Sequence, residues 1–219
     1  MYIMPNLDRV FIVEIINLMS ESNFLGAKAY ALQRLANEPN PDLTYHSLQH
    51  TRDDVAVSAY ALAEWHELEG EDLMLLKTAS YFHDLGFIYQ RQDHEEVGVD
   101  IVREVLPTFG YSRDQIEIIG GIIMATKMPQ SPNTLLEAIM ADADMNSLGR
   151  SDFFEVGALL RKELALFGAK MTDEAWYEFE TRFLGNHAYF TDGAKALYSD
   201  QKAHNLVQCQ AILDKIRAR

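Results

Sequence analysis

Four short stretches of this chain concentrate side chains that hold metal ions or move protons. "YHSLQHTRDDV" places His46 and His50 four residues apart, a spacing that puts both on one face of a helix. "YFHDLGF" sets His83 beside Asp84 in an otherwise apolar run. "QDHEEVG" adds Asp93, His94, Glu95 and Glu96, and "MADADMNSLG" adds Asp142 and Asp144. Imidazole and carboxylate together suit a divalent cation such as Mn, Fe, Ni, Zn or Mg. Imidazole, with an ordinary pKa near 6.5, also suits proton transfer at neutral pH.

The His83–Asp84 pair is the hardest to read as ordinary structure. A buried carboxylate without a partner costs several kcal/mol, so it must be ion-paired, hydrogen-bonded or metal-bound. Neighbouring helical residues point about 100° apart, so these two share a site only at a helix end or around a body between them. A cation is one such body and a hydrogen-bonded pair is the other; the residues alone leave both open. Asp142 and Asp144 lie about 200° apart on a helix, so one of them faces any common site. The core periodicity of Leu135, Ala138 and Ile139 turns Asp142 inward. His66, His187 and His204 read as structural, and Lys127, Arg91 and Arg150 are cations that could hold a phosphate or serve only as surface charges.

The elements that position these residues read as helical throughout. Apolar periodicity near 3.6 marks helices at roughly 5–19 and 22–37, the second broken by "NEPNPD". A long helix is expected over about 46–69 with Gly70 as its C-cap, and another over about 71–85 stopping at Gly86. "DHEEVGVDIVREVLP" gives a helix ended by Pro107. Ser112 and Gln115 form a capping-box pattern opening a helix to about 126. Ser131 with Pro132 in the first turn is expected to start the helix carrying Asp142 and Asp144. Ser151, Thr172 and Thr191 are N-cap candidates for the last three helices. No segment alternates like a strand, so the expected fold is all-α, one domain over residues 1–219 with no internal repeat.

Bulk properties narrow the function further. The net charge of -14 over 219 residues argues against a nucleic-acid or anionic-membrane partner, because phosphate backbones need clustered Lys and Arg. It leaves room for a small phosphorylated substrate served by local positive charge. The lone Cys209 excludes an internal disulfide and fits a reducing compartment. Asp8, Arg9 and Glu14 interrupt the apolar residues of the N-terminus. Neither a signal peptide nor a spanning helix is expected, which places the protein in the cytoplasm.

The order His…His-Asp…Asp, with "YHSLQHTRDDV" before "YFHDLGF" and "ADADMNSLG" after, resembles the HD-domain superfamily of metal-dependent phosphohydrolases. The resemblance covers about residues 42–150, with residues 151–219 expected to pack on that core as further helices. It implies a helical bundle of the phosphodiesterase-like type and metal ligation by His50, His83, Asp84 and an aspartate of "ADAD". The family's pattern favours Asp144, with Asp142 as an outer residue or the fallback ligand. "YHSLQH" is similar to the signature of cyclic-nucleotide phosphodiesterases, which implies His46 as general acid.

The family's two-metal variant needs further histidines, and "IIMATKMPQSPN" supplies none. One divalent ion is therefore expected, with His94 and Lys127 near the substrate. The implied reaction is hydrolysis of a phosphate ester by a water activated at the metal, with Asp84 and His46 in catalytic roles. A mixed-function oxygenase on the same scaffold and a silent ligand-sensing module are the rival readings. A homodimer is an assembly common to such folds.

Overall fold

The computed structural model describes residues 24–38 and 40–219. The helix expected over 5–19 lies outside the described residues. Among the described residues there is no strand, and none of the helices is long and apolar enough to cross a membrane. Helix α1 spans residues 24–37. Then follow α2 (Ala56–Trp65), α3 (Gly70–Phe82), α4 (His94–Val105), α5 (Arg113–Met124), α6 (Leu135–Asp144), α7 (Phe153–Leu166), α8 (Asp173–Asn186) and α9 (Asp192–Arg217).

The central bundle is α2 to α6. Helix α2 lies against α3 and α6, and α5 packs against α3, α4 and α6. Phe82, Leu62, Leu76, Ile119, Ile123 and Ile139 are fully buried between them, each worth roughly 1.5–3 kcal/mol in apolar area removed from water. A smaller apolar cluster built on Leu148, Phe153, Leu184 and Cys209 joins the C-terminal helices to this bundle.

Several boundaries follow from local chemistry as expected. Ser112 caps α5 in a capping box: its hydroxyl accepts from the Gln115 N–H and its own N–H donates to Gln115 Oε1. Thr172 and Thr191 accept from the amides three residues on and open α8 and α9.

Four expectations are corrected. The helix expected over 46–69 begins only at residue 48, with a wider π-turn stretch at His50–Val55, and ends at Trp65. The left-handed residue that closes it is Glu67 (φ 54°), with Leu68 N–H returning to Ala63 O and Glu67 N–H to Glu64 O. These are the paired bonds of a Schellman ending, so Gly70 opens α3 instead of closing α2. Helix α6 is capped by Thr134, not opened at Ser131, because the Thr134 hydroxyl accepts the Glu137 N–H. Ser151 makes no cap, and α7 starts after Asp152. Gly86 does not end α3, which stops at Phe82. It sits in a 3-10 turn where a Cβ would lie 1.9 Å from the His94 carbonyl oxygen. Only glycine lets that turn meet the start of α4 so closely.

Two buried carboxylates are spent on this architecture. Asp142 on α6 accepts the N–H groups of Phe190 and Thr191 at 2.8 Å each and the Thr191 hydroxyl at 2.7 Å. It thereby satisfies orphan donors just before α9. Glu180 on α8 is 4% exposed and has no hydrogen-bond or ion-pair partner among the described residues. Burial pushes its carboxyl up to about 7.

Asp142→Ala should cost about 2–4 kcal/mol in urea unfolding, since it strands buried donors that had a charged acceptor. Glu180 gives a pH signature of opposite origin. Its folded pKa of about 7 lies above the unfolded value of 4.5, so the folded state holds the extra proton. Its contribution is fully favourable below the unfolded pKa and declines as pH rises through 7. Glu180→Gln should therefore gain stability relative to wild type between pH 4.5 and 8, by on the order of 3 kcal/mol at most.

Candidate metal centre

The 3-10 turn and the helix ends around it bring all four sequence stretches together. His83 and Asp84 stand just past the last turn of α3, where the backbone stops holding adjacent side chains about 100° apart. His50 comes from the π-turn stretch before α2, and Asp144 is the last residue of α6. His83 Nε2 lies 3.2 Å from Asp84 Oδ2 and 3.6 Å from Asp144 Oδ1. His50 Nε2 lies 3.5 Å from Asp144 Oδ1 and 3.7 Å from Asp84 Oδ2.

Burial makes this convergence costly as it stands. His50 is 4%, His83 0% and Asp84 3% exposed. Yet His50 Nε2, His83 Nε2 and Asp84 Oδ2 are buried atoms without a hydrogen-bond partner. Native proteins leave few such atoms unsatisfied, and each needs a reason. His50, His83 and Asp144 each offer one ligand atom, all within 4.8 Å of one another. Two imidazole nitrogens and one carboxylate oxygen make a donor set for a borderline divalent cation, with Asp84 Oδ2 beside both imidazoles.

The tautomer fits the same conclusion. With a cation bound, His83 Nδ1 would donate to the Ser80 carbonyl oxygen, 2.9 Å away, and Nε2, the atom facing the cluster, would give up its proton to take the ion. Burial would push the His83 pKa down. The adjacent Asp84 and then Asp144 outweigh it and raise the group to about 9. Burial likewise opposes ionisation of Asp84, but His83 and His94 hold its carboxyl well below the usual range. The residues present fit a bound divalent cation.

His94, at the first position of α4, places Nε2 3.6 Å from Asp84 Oδ1, and its Nδ1 donates to the Arg91 carbonyl at 3.2 Å. Its ring stacks on Phe87 at 3.7 Å, and Phe87 stacks on His46 at 4.1 Å. His46 is not on the helix of His50, as the four-residue spacing suggested; it lies in the irregular segment before it. The two rings still face the same region, 5.9 Å apart.

What fixes His46 is Glu163 of α7, a fully buried residue that no sequence motif marks. Glu163 Oε1 lies 2.5 Å from His46 Nδ1. Glu163 Oε2 accepts the backbone N–H groups of Tyr45 and His46 at 2.8 and 3.0 Å. Burial would raise the Glu163 pKa, but these donors lower it, so it stays ionised beside the imidazole. An apolar helix carrying one Glu at a core position is the faint signal that could have marked it.

The remaining sequence candidates divide plainly. Asp142 points to the start of α9, away from the cluster, because backbone amides there claim both its oxygens; it is not a fallback ligand. Lys127 is held by Asp93 at 2.8 Å and by Glu96 on the exposed face of α4. Arg150 forks onto Asp152 and bonds Asp54 at 2.5 Å. Asp54 in turn approaches His50 Nδ1 at 3.9 Å. With their charges already met by carboxylates, neither Lys127 nor Arg150 is a ready phosphate clamp. The guanidinium of Arg91 lies over the Phe167 ring, 5.2 Å from its centroid.

Comparison with known proteins places this geometry. Residues 50–145 match the family model described as the HD domain. The crystal structure of Bacillus subtilis YpgQ in complex with ADP superposes with a TM-score of 0.63, at 19% identity, over 90% of this chain and 96% of that one. At that identity the likeness is one of fold. Among curated proteins none is significantly similar to this chain. The family match stops before α7, so Glu163 and Glu180 lie outside it.

Divalent cation added to metal-stripped protein should raise its melting temperature. At 100 times its dissociation constant the gain is about 2.7 kcal/mol. Asp144→Ala should abolish the response to Mn in a thermal-shift titration while leaving the fold intact by circular dichroism.

Proposed function

We propose, from the match of residues 50–145 to the HD-domain family model, that the protein is a metal-dependent phosphohydrolase acting on a small phosphorylated molecule. The observation that carries the reading is the set of buried, unpartnered atoms His50 Nε2, His83 Nε2 and Asp84 Oδ2. No hydrogen-bond partner among the described residues meets them. His50, His83, Asp84 and Asp144 would hold one divalent ion. When bound, the ion supplies Lewis-acid polarisation of a phosphoryl oxygen and lowers the pKa of water.

The chain's own residues account for the rest. Asp84, with Oδ1 toward His94, orients that imidazole at the edge of the site. His94 is then a donor to a phosphoryl oxygen or a carrier for the proton leaving the attacking water. His46 is the general acid. Its Nδ1 is committed to Glu163, so Nε2 is the nitrogen left to deliver a proton to the departing oxygen. Glu163 is a positioning residue: it holds the ring at Nδ1, and its two backbone bonds fix the segment that carries the ring. Phe87, stacked between the two histidines, keeps both rings in place and excludes water.

Substrate class is the open part of the reading. YpgQ was crystallised with ADP, so nucleotides are the first class to screen. An oxygenase on this scaffold would draw on His94 beside Asp84 as a ligand of a second ion, and metal counting separates the two.

Metal analysis of the purified protein should give about one equivalent, lost in Asp84→Ala. A phosphatase screen with Mn, Mg, Ni or Fe should then give cation-dependent phosphate release. Two equivalents of iron with oxygen-dependent turnover would replace the hydrolase by the oxygenase. His46→Ala should lower kcat by about 10²–10⁴ on alkyl phosphates and far less on 4-nitrophenyl phosphate, whose leaving group needs no proton. Glu163→Gln should show the same leaving-group dependence in weaker form, with metal content unchanged. A uniform loss on both substrates would deny His46 the acid role.

A further inference from the structure

A cavity of about 150 Å³ opens beside His46 and runs between α7 and α8. Its walls are apolar and largely aromatic, with Phe153, Leu160, Phe179 and Phe183 among them, and Glu180 is the carboxylate in its lining. Tyr45 and His46 close the end nearest the metal ligands, Tyr45 with its ring 4.5 Å from that of His50. The volume matches a space that holds a single benzene-sized group.

Glu180 makes this more than a packing defect. Its side chain is 4% exposed and meets no donor among the described residues. It differs in this from Glu163 and Asp142, the other buried carboxylates nearby, whose oxygens each have donors. A carboxylate kept in an apolar cavity at a cost in stability is a mark of a functional position. Gly157 on α7 is part of the same lining, and a Cβ there would touch Glu180 Oε1 at 3.6 Å.

We propose that this cavity is the subsite for the leaving group of the substrate, and that it takes an apolar or aromatic body carrying an N–H donor that pairs with Glu180. The inference rests on the hydrolase reading in one respect. If His46 protonates the departing oxygen, the group attached to that oxygen lies on the side of His46, where two cavities meet the ring: one of about 390 Å³ with Leu35, Arg52 and Phe87 in its lining, and this one, which also reaches Tyr45 against the His50 ring. The donor is a primary ammonium or the exocyclic amino edge of a heteroaromatic ring. Either satisfies the buried carboxylate, and the aromatic walls favour a cation or a flat ring.

Protein-observed NMR titration of the metal-free protein with benzylamine, benzyl alcohol and cytosine tests the pocket without phosphate or catalysis. At pH 8 an amino probe should bind at least tenfold more tightly than benzyl alcohol. Glu180→Gln should erase that preference, and Gly157→Val should block both probes while keeping the native spectrum. Cytosine outcompeting benzylamine would assign the ring edge as the donor, and the reverse would assign the ammonium. Equal affinity for amine and alcohol, or a preference that survives Glu180→Gln, overturns the proposal. Binding through Glu180 that leaves phosphate release from 4-nitrophenyl phosphate uninhibited overturns the leaving-group role. If no phosphate ester is hydrolysed at all, the hydrolase reading falls with that role, while a Glu180-dependent titration still establishes the amine pocket.

Discussion

The structure is organised around the cost of burying Asp84 beside His83 where α3 ends. Two ionisable groups almost without solvent contact are stable only if their charges are met, and each leaves one atom facing inward without a partner. The ends of three other elements are drawn to that point: His50 from the π-turn stretch, His94 from the start of α4 and Asp144 from the end of α6. A π-turn is a costly way to run a helix and is often kept where a side chain must be aimed. Here it carries His50, and the glycine contact at Gly86 brings α4 close enough for His94 to reach Asp84.

The C-terminal helices are tied to this centre through buried carboxylates that accept backbone N–H groups. Asp142 reaches from α6 to the residues before α9, and Glu163 reaches from α7 to Tyr45 and His46. A charged acceptor shared by two amides is stronger than a neutral one and strict about geometry. Both contacts therefore fix position as well as adding stability. The segment carrying His46 has no helix to hold it, and Glu163 takes the place of one.

The charge balance of the chain is read differently once the ion pairs are seen. Lys127 and Arg150 are occupied by Asp93, Glu96, Asp152 and Asp54. On the hydrolase reading, positive charge at the centre would come chiefly from a bound cation and the histidines around it. That is compatible with a chain of net charge -14, because a single ion at a buried centre acts in a low dielectric where its field is strong.

Resemblance to the HD-domain superfamily implied that His50, His83, Asp84 and an aspartate of "ADAD" meet, while the sequence by itself determined the all-helical class, the capping box at Ser112, the caps at Thr172 and Thr191, and the apolar setting of the His83–Asp84 pair. These features are local: a period, a cap or a pair of neighbours within one turn carries its own physical signature. Tertiary structure alone decided between Asp142 and Asp144, because the choice depends on which one finds the amides before α9, some fifty residues on. It also took His46 off the helix, neutralised Lys127 and Arg150, and brought in Glu163, 117 residues from its partner. Glu180 stands at the same limit. One Glu among three on an amphipathic helix reads as solvated, and only the packing of α7 against α8 shows this one buried without a donor among the described residues. Contacts made across a hundred residues leave no spacing to read, since the chain between them is free to place them anywhere.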